Sequence, residues 1–239
     1  MRRGDVSKWS HCMDCKYRLK WYDNVPIVSW LWLKGRCRKC GKGIGGWEIW
    51  SEVMGGVIFA VMGVRWWMNG AGLVGGELVR WGLMSGLMMV LLVGLMVLLV
   101  SDARWGRLPV KYLTFCAICA ILYVATREWG VFSVVRIWDY LGALMMLSGV
   151  YYLLYKLSRE RWVGSGDWLL CMPLALVLGN FWLAFFCLFL ANLMGSIVMV
   201  PMSKVKKGKV RGQVPLGPFL IVAFVVVFLM QDVILGLVR

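Results

Sequence analysis

From residue 51 onward the chain alternates long apolar runs with short polar gaps. The runs fall at roughly 52–68, 81–101, 109–126, 138–157, 168–179, 181–201 and 215–236. Several approach the ~20 residues that a helix needs to cross a bilayer, and the pattern predicts an all-α polytopic protein with about seven transmembrane helices. Two runs are weak. The first carries Arg65, and 168–179 is short: it either continues into its successor or turns at Gly179-Asn180 as half of a tight helical hairpin. Residues 1–50 are polar, basic and Trp-rich, and predict a small domain outside the membrane, with 51–239 embedded in it.

The polar gaps carry a topological signal. Residues 1–50 hold eleven Lys and Arg, and the gaps at 102–108, 158–167 and 202–214 are basic too, the last with Lys204, Lys206, Lys207, Lys209 and Arg211. Seven spans with a cytoplasmic N-terminal domain put all three gaps in the cytoplasm, where loop lysines and arginines concentrate. The 127–137 gap, with Arg127 and Arg136, is a mild exception. This parity places Asp102, which ends the second run, and Asp167, which begins the fifth, at the same edge of the membrane.

Composition agrees with the pattern. The chain is 61% hydrophobic and 16% charged, whereas soluble domains are about half apolar and a quarter charged. The net charge of +15 then records topology rather than nucleic-acid binding. The opening "MRRGDVSKWSHCMDCKYRLK" has no apolar core of a cleavable signal, so the first domain is expected in the reducing cytoplasm. Clustered cysteines there bind metal more often than they form disulfides.

Cys12-x2-Cys15 and Cys37-x2-Cys40 supply four thiolates in paired knuckles. That set suits a tetrahedral Zn2+ in a zinc-ribbon or rubredoxin-like domain, with iron as the minor alternative. A domain of about fifty residues has too little core to fold without such help. His11 abuts the first knuckle as a neighbour rather than a ligand. Cys116, Cys119, Cys171 and Cys187 lie in apolar runs and read as small core side chains. Between the knuckles, Asp23-Asn24 before Val25-Pro26 is turn chemistry, and "PIVSWLWL" reads as a strand.

Asp102 and Asp167 stand out among the carboxylates. Acidic residues at span ends are ordinarily solvated, as expected of Asp139 and Asp232. Two that met in space could do more. Like charges a few ångströms apart do not both ionise readily, so a pair splits its pKa values and offers one base and one acid. Low-dielectric surroundings sharpen the split, and the pair titrates as a unit. Gly164 and Gly166 in "GSGD" would let the backbone approach a substrate strand or take positive φ.

The ordered motifs resemble those of bacterial type IV prepilin peptidases. "WYDNVPIVSW" lies between the knuckles, with "RCRKC" after it. "WEIWSEVMGG" carries Glu52, and "SDARWGRLP" resembles the first aspartate motif. "GSGD" matches GxGD, and "VPLGPFL" resembles the opening of the last helix. The similarity runs from about residue 10 to 230. It implies a GxGD-type membrane aspartyl peptidase with Asp102 and Asp167 as the catalytic pair, Gly164 and Gly166 shaping the loop, and Cys12, Cys15, Cys37 and Cys40 on structural Zn2+. Its substrates would be prepilins and pseudopilins, cut after Gly at the cytoplasmic face of the bacterial inner membrane. The resemblance also implies S-adenosylmethionine-dependent N-methylation of the new N-terminus, with Trp21, Tyr22, Asp23, Asn24 and Pro26 as candidates. No methyl-donor glycine loop is present to support this independently.

Three departures are visible. The chain begins beside the first CxxC, where the resemblance leads one to expect a preceding helix, as a misassigned start, a truncation or a genuine loss would each give; Val110 follows Pro109 where an acidic residue is common, and Trp168-Leu169 replace the hydrophobe-Lys-Leu after GxGD. The rival expectation is a non-catalytic membrane assembly protein with a zinc interaction module.

Overall fold

A computed structural model describes residues 11–12, 14–25, 27–44, 46–130, 133–159, 163–205 and 216–238, with the side chains of 47, 48, 51 and 199–205 excepted. The chain divides into two compact units, Met1–Gly63 and Val64–Arg239.

In the first unit the two knuckles close in the same way. Cys12 N–H donates to the Tyr17 carbonyl at 2.9 Å, and Cys37 N–H donates to that of Lys42 at 2.8 Å. The residue after each second cysteine, Lys16 or Gly41, takes positive φ (53° and 68°). Isolated bridges pair His11 with Arg18 and Arg36 with Gly43. The segment expected as a strand is instead a short helix, α1 (Val28–Trp32), entered through a 3-10 turn at Trp21–Asn24. A lone strand there has no partner for its backbone groups. The helix satisfies them locally, with Leu31 N–H on Ile27 O and Leu33 N–H on Ser29 O. No strand forms among the described residues, so the ribbon is reduced to its knuckles.

Helix α2 (Gly46–Gly70) crosses the division between the units. The second unit continues with α3 (Gly75–Trp105), α4 (Val110–Arg127), α5 (Val134–Leu144), a π-turn at Met145–Gly149, α6 (Val150–Ser158), α7 (Ser165–Leu178), α8 (Phe181–Val205), α9 (Gly217–Leu229) and α10 (Gln231–Val238). Every expected apolar run is helical. Among the described residues, four helical stretches are long and apolar enough to cross a membrane, or five if α9 and α10, bent by 71°, form one span. This is a multi-pass membrane protein. The expected count of seven is not reached by that measure. Helix α2 carries Arg65 inside it, and α7 has 14 residues, about 21 Å at 1.5 Å per residue, short of the ~30 Å hydrocarbon core.

The core lies where α3, α4, α7 and α9 pack, with Leu91, Leu95, Leu98, Leu170, Leu174 and Phe224 fully buried. Cys116, Cys119 and Cys171 are buried there, and Cys187 is buried on α8, as expected. Helix α7 ends at Gly179 in the left-handed conformation (φ 56°), which glycine adopts without penalty. Asn180 then starts α8, its side-chain oxygen accepting from Trp182 N–H at 2.9 Å. The 168–179 run is therefore a separate helix.

Two arginines close helix ends. Arg127 Nη1 donates to the Val177 carbonyl at 2.9 Å, next to the last residue of α7. Arg65 Nη1 donates to Phe228 and Leu229 at the end of α9, and Nη2 pairs with Asp232 at 2.6 Å. Cations at helix C-termini complement the orphan carbonyls and the dipole. Asp232, expected to be merely solvated, is thus a partner of Arg65. The exception to the charge pattern at 127–137 is explained in the same way: Arg127 and Arg136 both bind the buried Glu128 carboxylate.

Candidate active site and metal centre

Asp102 lies in the last turn of α3 and is 5% exposed. The chain then turns sharply. Gly106, left-handed at φ 58°, donates its N–H to the Asp102 carbonyl at 2.8 Å. The Ser101 hydroxyl donates to the Arg107 carbonyl at 2.9 Å, and Pro109 caps α4. The loop is short and tied to the helix at both ends, so the Asp102 backbone is fixed. Its Oδ2 accepts from Gly217 N–H at 3.0 Å, at the start of α9.

Asp167 lies in the first turn of α7 and is 7% exposed. Its Oδ2 accepts from Gly164 N–H at 3.0 Å, the carboxylate half of a capping box. An acidic group there also suits the helix dipole. The segments that carry the two aspartates pack together: Gly166, next to Asp167, lies against Leu108 in the loop after Asp102. Each aspartate commits Oδ2 to a glycine N–H, and among the described residues Oδ1 of each has no hydrogen bond. Each is a buried carboxylate with one oxygen engaged.

The glycines of "GSGD" serve differently from expectation. Neither takes positive φ; Gly164 is extended (φ −77°, ψ 158°). Gly166 provides clearance, because a β-carbon there would come within 2.8 Å of Leu108 Cβ, in the loop after Asp102. Around Asp167, the Ser148 hydroxyl from the π-turn donates to the Trp168 carbonyl at 3.1 Å, and the Tyr152 ring meets the Trp168 ring edge-on at 5.3 Å. Tyr151, 1% exposed, accepts from Asn192 Nδ2 at 3.1 Å. Sequence reasoning missed these supports. They come from distant segments with no motif of their own, although the glycine of "LGPF" at the start of an apolar run was a signal for Gly217.

In the first unit the four cysteine sulfurs lie within 4.8 Å of one another, with Cys12–Cys40 and Cys15–Cys37 both at 3.9 Å. The edge of a tetrahedron with Zn–S bonds of about 2.3 Å is about 3.8 Å, so the donor set fits a metal ion. Backbone N–H groups of Cys40 and then Lys39 lower the Cys37 thiol to about 6, which favours the thiolate that a metal requires.

Beside the cluster is a cavity of about 340 Å3, lined by Asp23, Asn24, Trp30, Arg38 and Glu52 among others. Of the methyl-transfer candidates, Asp23 and Asn24 line it. Trp21 and Tyr22 do not, and Trp21 is 80% exposed; Pro26 lies outside the described residues. Asp23 has a structural partner, Arg38 Nη2 at 2.8 Å. Glu52 accepts from Ile27 N–H at 2.8 Å and holds that β-branched residue at φ 62°, a costly conformation. Trp30 Nε1, buried beside the cavity, has no hydrogen-bond partner among the described residues.

Two family descriptions match the chain. The description "Bacterial Peptidase A24 N-terminal domain" matches residues 3–66, and "Type IV leader peptidase family" matches 89–200. The chain belongs to the type IV leader peptidase family. It is similar to the prepilin leader peptidase/N-methyltransferase of Stutzerimonas stutzeri, 22% identical over 93% of this chain and 72% of the relative. It is likewise similar to those of Dickeya chrysanthemi (27%; 90% and 70%) and Dichelobacter nodosus (27%; 92% and 70%). No solved structure matches the chain. The protein is a peptidase.

Proposed function

We propose that this peptidase is an aspartic endopeptidase that removes the leader from prepilin-like proteins, with Asp102 and Asp167 as its catalytic pair. One carboxylate takes a proton from water as the water oxygen attacks the carbonyl carbon of the Gly that precedes the scissile bond. The other, protonated, donates its proton to the carbonyl oxygen; the first then passes the proton taken from water to the amide nitrogen as the C–N bond breaks, and the second recovers a proton from the gem-diol, which restores the pair. These roles belong to the pair. The observation that carries the reading is the packing of the two aspartate motifs, distant in sequence, with Gly166 against Leu108, both carboxylates buried and each holding one oxygen on a glycine N–H. A substrate whose leader is followed by an apolar helix would reach them from the bilayer, its basic leader at the cytoplasmic face of the inner membrane.

In the same reading, residues 1–50 work as a cytoplasmic cysteine domain and 51–239 as the membrane-embedded peptidase. Cys12, Cys15, Cys37 and Cys40 would hold a structural Zn2+. The cavity beside them, lined by side chains of both charges and by the Trp30 indole, suits S-adenosylmethionine, a zwitterion with a sulfonium, which supplies the methyl group for the new N-terminus when bound. Asp23 and Asn24 would orient that donor.

The test is co-expression with a tagged prepilin, following leader removal by gel shift. Wild type is expected to cleave, while Asp102→Asn and Asp167→Asn each fail although they reach the membrane. Intact prepilin with wild type, across several prepilins, overturns the reading in favour of a binding or assembly role.

A further inference from the structure

Asp167 is held by its own helical turn, through an N–H only three residues away. Asp102 is not. The bonds that fix the loop after it, from Ser101 to Arg107 and from Gly106 to the Asp102 carbonyl, secure backbone and leave the carboxylate untouched. What holds Asp102 Oδ2 is the N–H of Gly217, 115 residues further along the chain. The following residue, Pro218, has no N–H to offer, which leaves Gly217 as the donor at the mouth of α9.

The fit at Gly217 is also steric. A β-carbon there would stand 2.6 Å from Asp102 Oδ2, 3.2 Å from Cγ and 3.4 Å from Cβ. The first is closer than such atoms approach, and the atom that would have to move is the carboxylate oxygen. Gly217 has no positive φ. Space against Asp102, rather than backbone freedom, is what requires glycine.

We propose that Gly217 is a positioning residue for Asp102, orienting its carboxylate through the backbone N–H and through the missing β-carbon. The inference rests on the reading of Asp102 as half of the peptidase pair. Docking of α9 then completes a site that α3 and α7 leave unfinished, because no group of those two helices takes over the bond to Asp102 Oδ2. A misplaced carboxylate leaves substrate binding in place and slows the chemical step.

The experiment compares cleavage kinetics of full-length Gly217→Ala with those of Gly195→Ala. A β-carbon at Gly195 meets nothing nearer than 3.7 Å, so that substitution is a neighbouring control. Gly217→Ala is expected to lower kcat by about tenfold or more with KM within about twofold, at equal abundance in the membrane, and Gly195→Ala to behave as wild type. A second measurement is independent of activity. In Asp102→Cys/Gly217→Cys the 3.4 Å β-carbon separation lies at the edge of the ~3.5–4.5 Å disulfide range. After mild oxidation and tryptic cutting at Lys204–Arg211, the two fragments are expected to stay joined until reduced; the later fragment has no native cysteine. Separable fragments, wild-type kcat in Gly217→Ala, or a loss confined to KM would each overturn the inference. If Gly217→Ala does not accumulate, the cross-link decides. Intact prepilin with wild type overturns the peptidase reading itself, and is distinct from a wild type that cleaves as fast as Gly217→Ala.

Discussion

Gly166 lies against Leu108, so that a β-carbon on the glycine would come within 2.8 Å of the leucine Cβ and 2.9 Å of its Cδ1. This contact joins the two aspartate motifs, since Leu108 belongs to the loop that leaves Asp102 and Gly166 immediately precedes Asp167. The first turn of α7 can approach that loop only because position 166 has no side chain.

Gly166→Ala is therefore expected to push the two motifs apart, with an overpacking cost of about 1–3 kcal/mol and a loss of leader cleavage. Leu108→Ala should make room, so the double variant is expected to cleave better than Gly166→Ala alone. Kinetics of the four proteins in the cycle measure the coupling. Additive losses would show that the contact does not set the geometry.

The buried network at the other end of α7 should matter for stability. Arg127 binds the Val177 carbonyl, the Tyr140 hydroxyl and Glu128, and its side chain is 21% exposed. Arg136 reaches Glu128 from a side chain that is 48% exposed. Arg127→Met is expected to cost about 3–5 kcal/mol, as removal of one partner of a buried pair does; Arg136→Met should cost at most about 1 kcal/mol. Thermal unfolding of the detergent-solubilised protein, read by loss of its folded population, ranks the two. Equal losses would contradict the network.

The cysteine cluster should carry about one zinc ion per chain and depend on it. Chelation, or Cys15→Ser, is expected to unfold the first unit, because structural zinc supplies on the order of 10 kcal/mol to domains of this size. Limited proteolysis in the 11–44 region reports the change, and metal analysis of the purified protein reports the ion. Unchanged protease resistance after zinc removal would show that the fold does not need the metal.

Glu52 is expected to hold Ile27 in its left-handed conformation. Ile27→Gly, which removes that strain, should stabilise the first unit by roughly 1 kcal/mol. Glu52→Gln should weaken the bond to Ile27 N–H by a comparable amount. Opposite shifts of the protease-resistance midpoint for the two variants are the expected outcome.

The sequence by itself determined the membrane class, the apolar stretches that became helices and the four clustered thiolates. Each depends on local pattern: runs of apolar residues and CxxC spacing. Tertiary structure decided the rest. It turned "VSWLW" into a helix because a strand had no partner, set α7 apart as a short helix closed by Gly179, and gave Arg65 and Arg127 helix ends to cap. It also made glycine at 166 and 217 a matter of clearance against Leu108 and Asp102. A missing β-carbon looks the same in any sequence, and what it makes room for depends on which distant residue the fold brings against it.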